Sequence, residues 1–288
     1  MKTLRYFLPL LVLIGCNTAQ RNNPYAAEFD TDGCLVCDNY TAGETFKIDG
    51  VRYTVADRTI LETAIAESDD LSVFCTSKVT DMSSLFKNAQ GYLFRYDLGL
   101  GPDLSSWDVS NVTTMSGMFE RAQYLIHLDI SNWDVSNVND MSNMFAGASD
   151  FNGDIMNWDV SKVENMSRMF LYATSFRQDI GNWDVGNVND MSFMFKSNPG
   201  FNQDIGNWDV SSVVSMNGMF SSVNAFNQDI GNWDVTNVAD LRGMFLMAGS
   251  FNQDLTQWCV SGHSVMPTNF ATNSALTSAN LPVWGTCP

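Results

Sequence analysis

The chain is short of histidine, of positive charge and of long apolar runs. Among 288 residues there are two histidines, His127 and His263. Neither stands at motif spacing from a nucleophile or from other metal-ligating side chains, so no nucleophilic triad and no zinc signature can be written. Lysine and arginine number 15 against 32 aspartates and glutamates, a formal net charge of −17. Nucleic-acid binding needs cations for the phosphate backbone, and anionic lipid headgroups repel so acidic a surface. Past the amino-terminal segment, no stretch reaches the roughly 18 apolar residues of a transmembrane helix. Calcium loops of the D-x-D-x-D kind are missing too. The expectation is a non-enzymatic protein without cofactor.

What is present begins with an export signal. Lys2 and Arg5 precede the apolar run Phe7 to Ile14, and Leu13-Ile14-Gly15-Cys16 closes it with a small residue before a cysteine. The run is too short to span a bilayer and reads as a secretory signal. Its ending resembles the bacterial lipoprotein cleavage box, which implies removal of residues 1–15 and acylation of Cys16. An ordinary signal peptide with an incidental cysteine is the alternative. Loss of Lys2 and Arg5 moves the formal charge from −17 to −19, with 13 basic against 32 acidic residues.

Internal periodicity dominates the rest. Trp107, Trp133, Trp158, Trp183, Trp208, Trp233 and Trp258 are spaced by 26 and then five times by 25. Val follows each Trp by two residues, Phe by twelve, and Met (once Leu241) by eight. Phe74 opens an earlier unit in the Trp column, and the loop around residues 91–102 carries the extra length before Trp107. The decapeptide FNQDIGNWDV appears unchanged at Phe201–Val210 and Phe226–Val235. Val138, Met141, Met144 and Phe145 are spaced as one apolar stripe of a short helix, with Ser136 or Asn137 as its cap. Asn-Trp-Asp-Val alternates as a short strand, with a turn at Gly181, Gly206 and Gly231. One strand and one short helix per repeat of 25 residues cannot bury a core alone, whereas stacked copies can.

The pattern W-D-V-S-x-V-x-x-M-S-x-M-F, as in Trp133 to Phe145, followed by F-N-Q-D-I, as in Phe201 to Ile205, resembles the BspA-type leucine-rich-repeat surface proteins, including bacterial and mycoplasmal lipoproteins. The resemblance implies an α/β repeat solenoid, leucine-rich-repeat-like, on a cell surface, in a family associated with adhesion and partner proteins. It brings no catalytic residues.

The expected organisation is a signal at residues 1–15, a lipid-anchored tether at 16–39, an amino-terminal cap at 40–73, the solenoid at 70–276 and a carboxy-terminal cap at 277–288. In the first cap, Phe46 to Tyr53 reads as a hairpin turning at Asp49-Gly50, and Asp57 caps a helix from Arg58 to about Glu67. After Cys16 five cysteines remain, which in an oxidising compartment favour disulfides over metal. Cys259 and Cys287 fall on adjacent rungs and should staple the carboxy-terminal cap. Cys75 is within reach of Cys37 or Cys34, with Cys37 preferred, and the odd count leaves one cysteine over. Cys34-Leu35-Val36-Cys37 has redox spacing but lacks a thioredoxin-like βαβ context.

Two columns of aspartate carry the acidity, one four residues before the Trp (Asp103 to Asp254) and one directly after it (Asp108 to Asp234). Rungs about 4.8 Å apart would set neighbouring carboxylates repelling by about 0.8 kcal/mol even in water. Either each Asp accepts backbone N–H groups of a turn, or a row of Ca²⁺ ions bridges the rungs. The Met columns read as core filler rather than copper ligands. The Trp column reads as inward-facing rather than as a sugar platform. The leading expectation is an exported, lipid-anchored protein of the bacterial envelope, at the outer membrane or cell surface, that binds an unidentified protein or matrix partner. A structural spacer, or a Ca²⁺- or glycan-binding repeat, stands as the alternative.

Overall fold

A computed structural model of the chain describes residues 27–30, 33–89, 102–122, 125 and 128–288. The signal segment, the lipidation candidate Cys16, most of the loop at 91–102 and His127 lie outside the described residues.

The amino-terminal cap is a small sheet beside one helix. Strand β1 (Glu28–Phe29) pairs antiparallel with β2 (Leu35–Val36). Strands β3 (Thr45–Ile48) and β4 (Val51–Val55) form a hairpin whose turn residues Asp49 and Gly50 both take positive φ, 49° and 84°. A two-residue turn of this hand matches the twist of the strands it joins. Helix α1 (Arg58–Glu67) starts at Asp57, whose carboxylate accepts the Ile60 N–H, and Leu61 and Ala64 are its buried face. Its Arg58 guanidinium reaches the first rung, donating to Asp81 Oδ1 at 3.0 Å and to Ser83 O at 2.7 Å.

Strand β5 (Phe74–Cys75) runs parallel to β4 and carries the chain into the repeats. Residues 34–37 are buried here, with the Leu35 N–H bonded to Ser106 O and Cys37 joined to Cys75. The tether boundary expected at 39 therefore falls too late. Leu35, Val36 and the two cysteines are apolar enough to fill the open end of the stack, which fixes this segment in the cap.

The repeats lie one on another. Asp81, Thr114, Asp140, Asn165, Asp190, Ser215 and Asp240 form a continuous line of parallel bridges. Beneath it, Phe119, Phe145, Phe170, Phe195, Phe220 and Phe245 stack face to face at 5.6–5.9 Å. A second file runs through Phe151, Phe176, Phe201, Phe226 and Phe251. The Trp, Val, Met and Phe columns are buried except at Met266 in the last rung, which is half exposed. Since hydrophobic stabilisation scales with apolar area removed from water, this continuous aromatic file holds so acidic a chain together.

Within each repeat the backbone differs from the expected helix and strand. Among the described residues the repeats hold no α-helix, and each rung makes a single bridge. The N–H groups of Met141, Asn143, Phe145 and Gly147 donate to the next rung, at Asn165, Ser167, Met169 and Leu171. Those of Met144, Ala146 and Ala148 turn back three residues, to Met141, Asn143 and Phe145. A helix would spend every N–H on its own segment. Here alternate ones go to the neighbour, because the chain reverses hand at Asn143 (φ 57°) and Gly147 (φ 72°).

The line of bridges stops at Asp240. Gly218 donates to Arg242, but Gly243 donates to Thr268, one residue further on than the 24-residue step before it. The extra residue falls between His263 and Thr268, where Val265 stands 73% exposed. Phe270 meets Phe245 edge-on, Trp284 packs on Phe270 at 5.0 Å, and Cys259–Cys287 closes the end. No described cysteine is a free thiol: Cys34, the one left over by the two expected pairs, is itself disulfide-bonded.

Candidate functional site

Most polar side chains of FNQDIGNWDV are consumed by the stack and its turns. The indole N–H of Trp208 donates to Ile180 O at 3.0 Å and that of Trp233 to Ile205 O at 3.2 Å, each reaching the preceding rung. Asn202 Oδ1 accepts the Asn227 N–H at 2.9 Å, and Asn227 Oδ1 accepts that of Asn252. Gln228 Nε2 donates to Asn202 O and Gln253 Nε2 to Asn227 O. Every such bond crosses one rung boundary, so the residues of the motif must recur to be satisfied.

Both aspartate columns close turns. Asp179, Asp204 and Asp229 accept the N–H of Gly181, Gly206 and Gly231 at 3.0 Å. Asp209 and Asp234 accept from Ser211 and Thr236 at the same distance. Hydroxyl and backbone N–H bonds from Ser211 and Thr236 hold those two carboxyls below the usual range, and the Thr256 backbone and hydroxyl do so for Asp254. A third acidic position, the bridge residue Asp240, is pulled down to about 2, first by the hydrogen-bonded Arg242 guanidinium. Among the described residues no group of three or more histidine, cysteine or acidic side chains is disposed to hold a metal ion. His263 turns its Nε2 to Val238 O at 2.8 Å and its ring edge to Trp284, away from any nucleophile.

What the stack does not consume lies on the turns. Two columns of left-handed residues run the length of the array. One holds Ser84, Gly117, Asn143, Arg168, Phe193, Gly218, Gly243 and Asn269; the other holds Asn88, Arg121, Gly147, Tyr172, Ser197, Ser222, Met247 and Asn273. Glycine and asparagine take this conformation at little cost, whereas a bulky side chain there costs about 1–2 kcal/mol. Arg168, Phe193, Tyr172 and Met247 accept that cost, and Tyr172 and Met247 are more than half exposed. The residue at these positions differs from rung to rung in the sequence, but their backbone is not visible there. Its one signal was the alternation of Gly and Asn with unlike residues in a single column.

The first of these columns frames one of two neighbouring hollows. A cavity of about 240 Å³ is lined by Phe193, Lys196, Gly218, Arg242, Gly243 and Thr268, among others. A second, of about 590 Å³, lies where the bridges end, between Asp240 and the Val265-Met266-Pro267 bulge. Arg242 borders both and is locked to Asp240 through Nε at 2.9 Å and Nη2 at 2.6 Å.

Three stretches of the chain, residues 56–99, 92–199 and 176–284, match the family described as Mycoplasma protein of unknown function, DUF285. The chain belongs to this family. No curated protein and no solved structure matches it. The DUF285 match begins at the residue that leads into α1 and ends at Trp284, so it takes in the stacked Phe files, both left-handed columns and both hollows. Cys37 lies before it and Cys287 after it, so each disulfide ties a flanking segment to a DUF285 repeat.

Proposed function

We propose that this DUF285 chain is a non-catalytic binding module, a leucine-rich-repeat-like solenoid of the BspA type, held on a bacterial surface through a lipid on Cys16. One observation carries the reading. The repeated side chains are spent on burial, on turns and on bonds between rungs, while side chains that change from rung to rung stand in two columns, most of them partly or fully exposed, on an invariant backbone. Specificity is built in this way when a rigid scaffold presents variable positions in fixed geometry. Arg121, Arg168, Tyr172, Phe193 and Met247 supply long and aromatic side chains of the kind enriched at protein interfaces.

The test immobilises the purified chain and measures capture of surface and matrix proteins at increasing salt. Saturable capture that survives moderate salt supports the module. Absence of capture at any salt points instead to a spacer whose repeats set only length. Anchoring is tested separately: a Cys16→Ala variant should leave the detergent phase on phase separation, and equal partitioning of variant and native protein refutes the lipid.

A further inference from the structure

We propose that the smaller hollow, walled by Phe193 and Lys196 on one side and by Arg242 and Thr268 on the other, is the docking site for a short acidic peptide segment of the partner. This rests on the reading of the chain as a binding module and names the partner's chemistry.

The site begins with a side chain in an unfavourable place. Phe193 adopts φ 57° in a column that elsewhere holds mostly Ser, Asn or Gly. Its ring lies over the next rung, where a Cβ placed on Gly218 would be 2.7 Å from the ring atoms Cδ1 and Cε1. Gly218 is thus needed for Phe193 to lie down. One rung further, Gly243 has open space, its nearest neighbour to an added Cβ being Leu246 Cβ at 3.9 Å. The ring therefore forms a wall and Gly243 an unfilled floor. With Thr268 and Asn269 closing the far side, the hollow of about 240 Å³ is the result.

Charge selects the occupant. The chain is acidic by 32 residues to 15, yet two cations stand against the Phe193 ring: Arg168 Cζ at 5.4 Å and Lys196 Nζ at 5.2 Å from its centroid. Arg58, Lys87 and Arg242 pair with carboxylates, but Arg168 and Lys196 pair with none among the described residues. Arg242, also in the lining, spends Nε and Nη2 on Asp240. A carboxylate entering beside Phe193 meets an unneutralised ammonium, with hydroxyl and amide donors from Ser221, Thr268 and Asn269 around it. The nearby Asp240 carboxylate is already held by Arg242 and by Asn217 Nδ2 at 3.0 Å, and charges more than about 8 Å away are largely screened at physiological salt, so the Lys196 ammonium is left uncompensated beside the ring.

Size and ring geometry favour peptide over glycan. Pockets that enclose a whole small ligand run to about 300–1,000 Å³, so this hollow takes a side chain or two rather than an oligosaccharide. The Phe193 ring already carries two cations at cation–π distance, which leaves less free face for a pyranose to stack on.

The test titrates the full chain with a fluorescein-labelled hexapeptide of alternating Asp and Leu, read by anisotropy at physiological salt. Its Asn/Leu isostere and an oligomer of uronic acids are titrated in parallel. The acidic peptide should bind at least tenfold more tightly than the isostere. Lys196→Gln should weaken it about fivefold. Gly243→Asn, which fills the floor with a residue tolerant of φ 61° and already present in this column at Asn143 and Asn269, should abolish binding without loss of stability. A remote Lys47→Gln should change nothing. Equal binding of the isostere, indifference to both site variants, or binding of the uronic acid oligomer in place of the peptide overturns the proposal. If the peptide fails while capture of protein partners persists, the site assignment falls and the module reading stands; if both fail, both fall.

Discussion

Replacing Trp208 by Phe tests whether the rungs are held by the bonds and packing described. Trp208 is 4% exposed, its Nε1 donates to Ile180 O at 3.0 Å, and its ring lies 6.4 Å from that of Phe195. Phenylalanine keeps the aromatic contact and loses the donor. Ile180 O is not orphaned, since it also accepts the Trp183 N–H at 3.2 Å. The lost bond therefore costs about 1 kcal/mol rather than the full penalty of a buried unpaired acceptor. Trimming the indole leaves a void of roughly 40 Å³, which at 24 cal/mol per Å³ adds about 1 kcal/mol, and the lost transfer energy adds somewhat less. The expected loss is about 2–3 kcal/mol, read as a lower urea midpoint at unchanged slope. Because repeat arrays are stabilised by nearest neighbours, the weakened boundary sits mid-array, where it can split unfolding into two steps. An unchanged midpoint, with a single transition superimposable on that of the parent protein, would refute the stitching of rungs by tryptophan.

Acid should destabilise the array. Asp240 at about 2 and the lowered Asp209, Asp234 and Asp254 bind protons more weakly folded than unfolded, where aspartate titrates near 3.9. Their stabilisation is thus present above that value and lost as pH falls through the folded values; Tm should be flat down to about pH 5 and fall below pH 4, and a flat profile to pH 2 would contradict it. Arg242→Ala should shrink the fall, because it removes the main cause at Asp240. Opening Cys259–Cys287 by paired serine substitutions frees a separation of 28 residues, and the loop-closure estimate of about 3–4 kcal/mol is an upper bound for the lowered denaturant midpoint. Gly206→Ala would place a Cβ 2.5 Å from Asp229 O and should cost about 1–3 kcal/mol, whereas Gly262→Ala meets nothing within 4 Å and should be neutral by calorimetry.

Much of the burial is readable from the period, because a column that repeats Trp, Val, Met or Phe must meet its own copy in the next rung. The turn at Asp49-Gly50 and the Asp57 cap are readable too, since local chemistry decides both. The helix expected at Val138–Phe145 misleads for a definable reason. Apolar residues three and four apart mark one face of a helix, but they equally mark the inner side of a chain that turns back every three residues. Only hydrogen bonding to a neighbour separates the two, and the neighbour is not visible within one repeat. The hollow at Phe193 was hidden in the same way, because it needs Gly218 and Gly243 from the two following rungs. The early start of the cap at residues 34–37 depends on an apolar end of the stack that must be covered, which the polar composition around it conceals.

The identity of Phe201–Val210 and Phe226–Val235 also bears on how the molecule can change its length. The Trp and Gln bonds that leave one of these segments have counterparts leaving the other, so excising residues 201–225 joins Gly200 to Phe226 with those partners restored, though the Asn227 N–H would meet Arg177 in place of Asn202 Oδ1, and shortens the array by one rung of about 4.8 Å. The same excision removes Gly218 and seats Phe193 directly on Gly243, closing the hollow. Loss of one rung would therefore alter reach and recognition together, while leaving the Trp and Gln bonds between the remaining rungs in place.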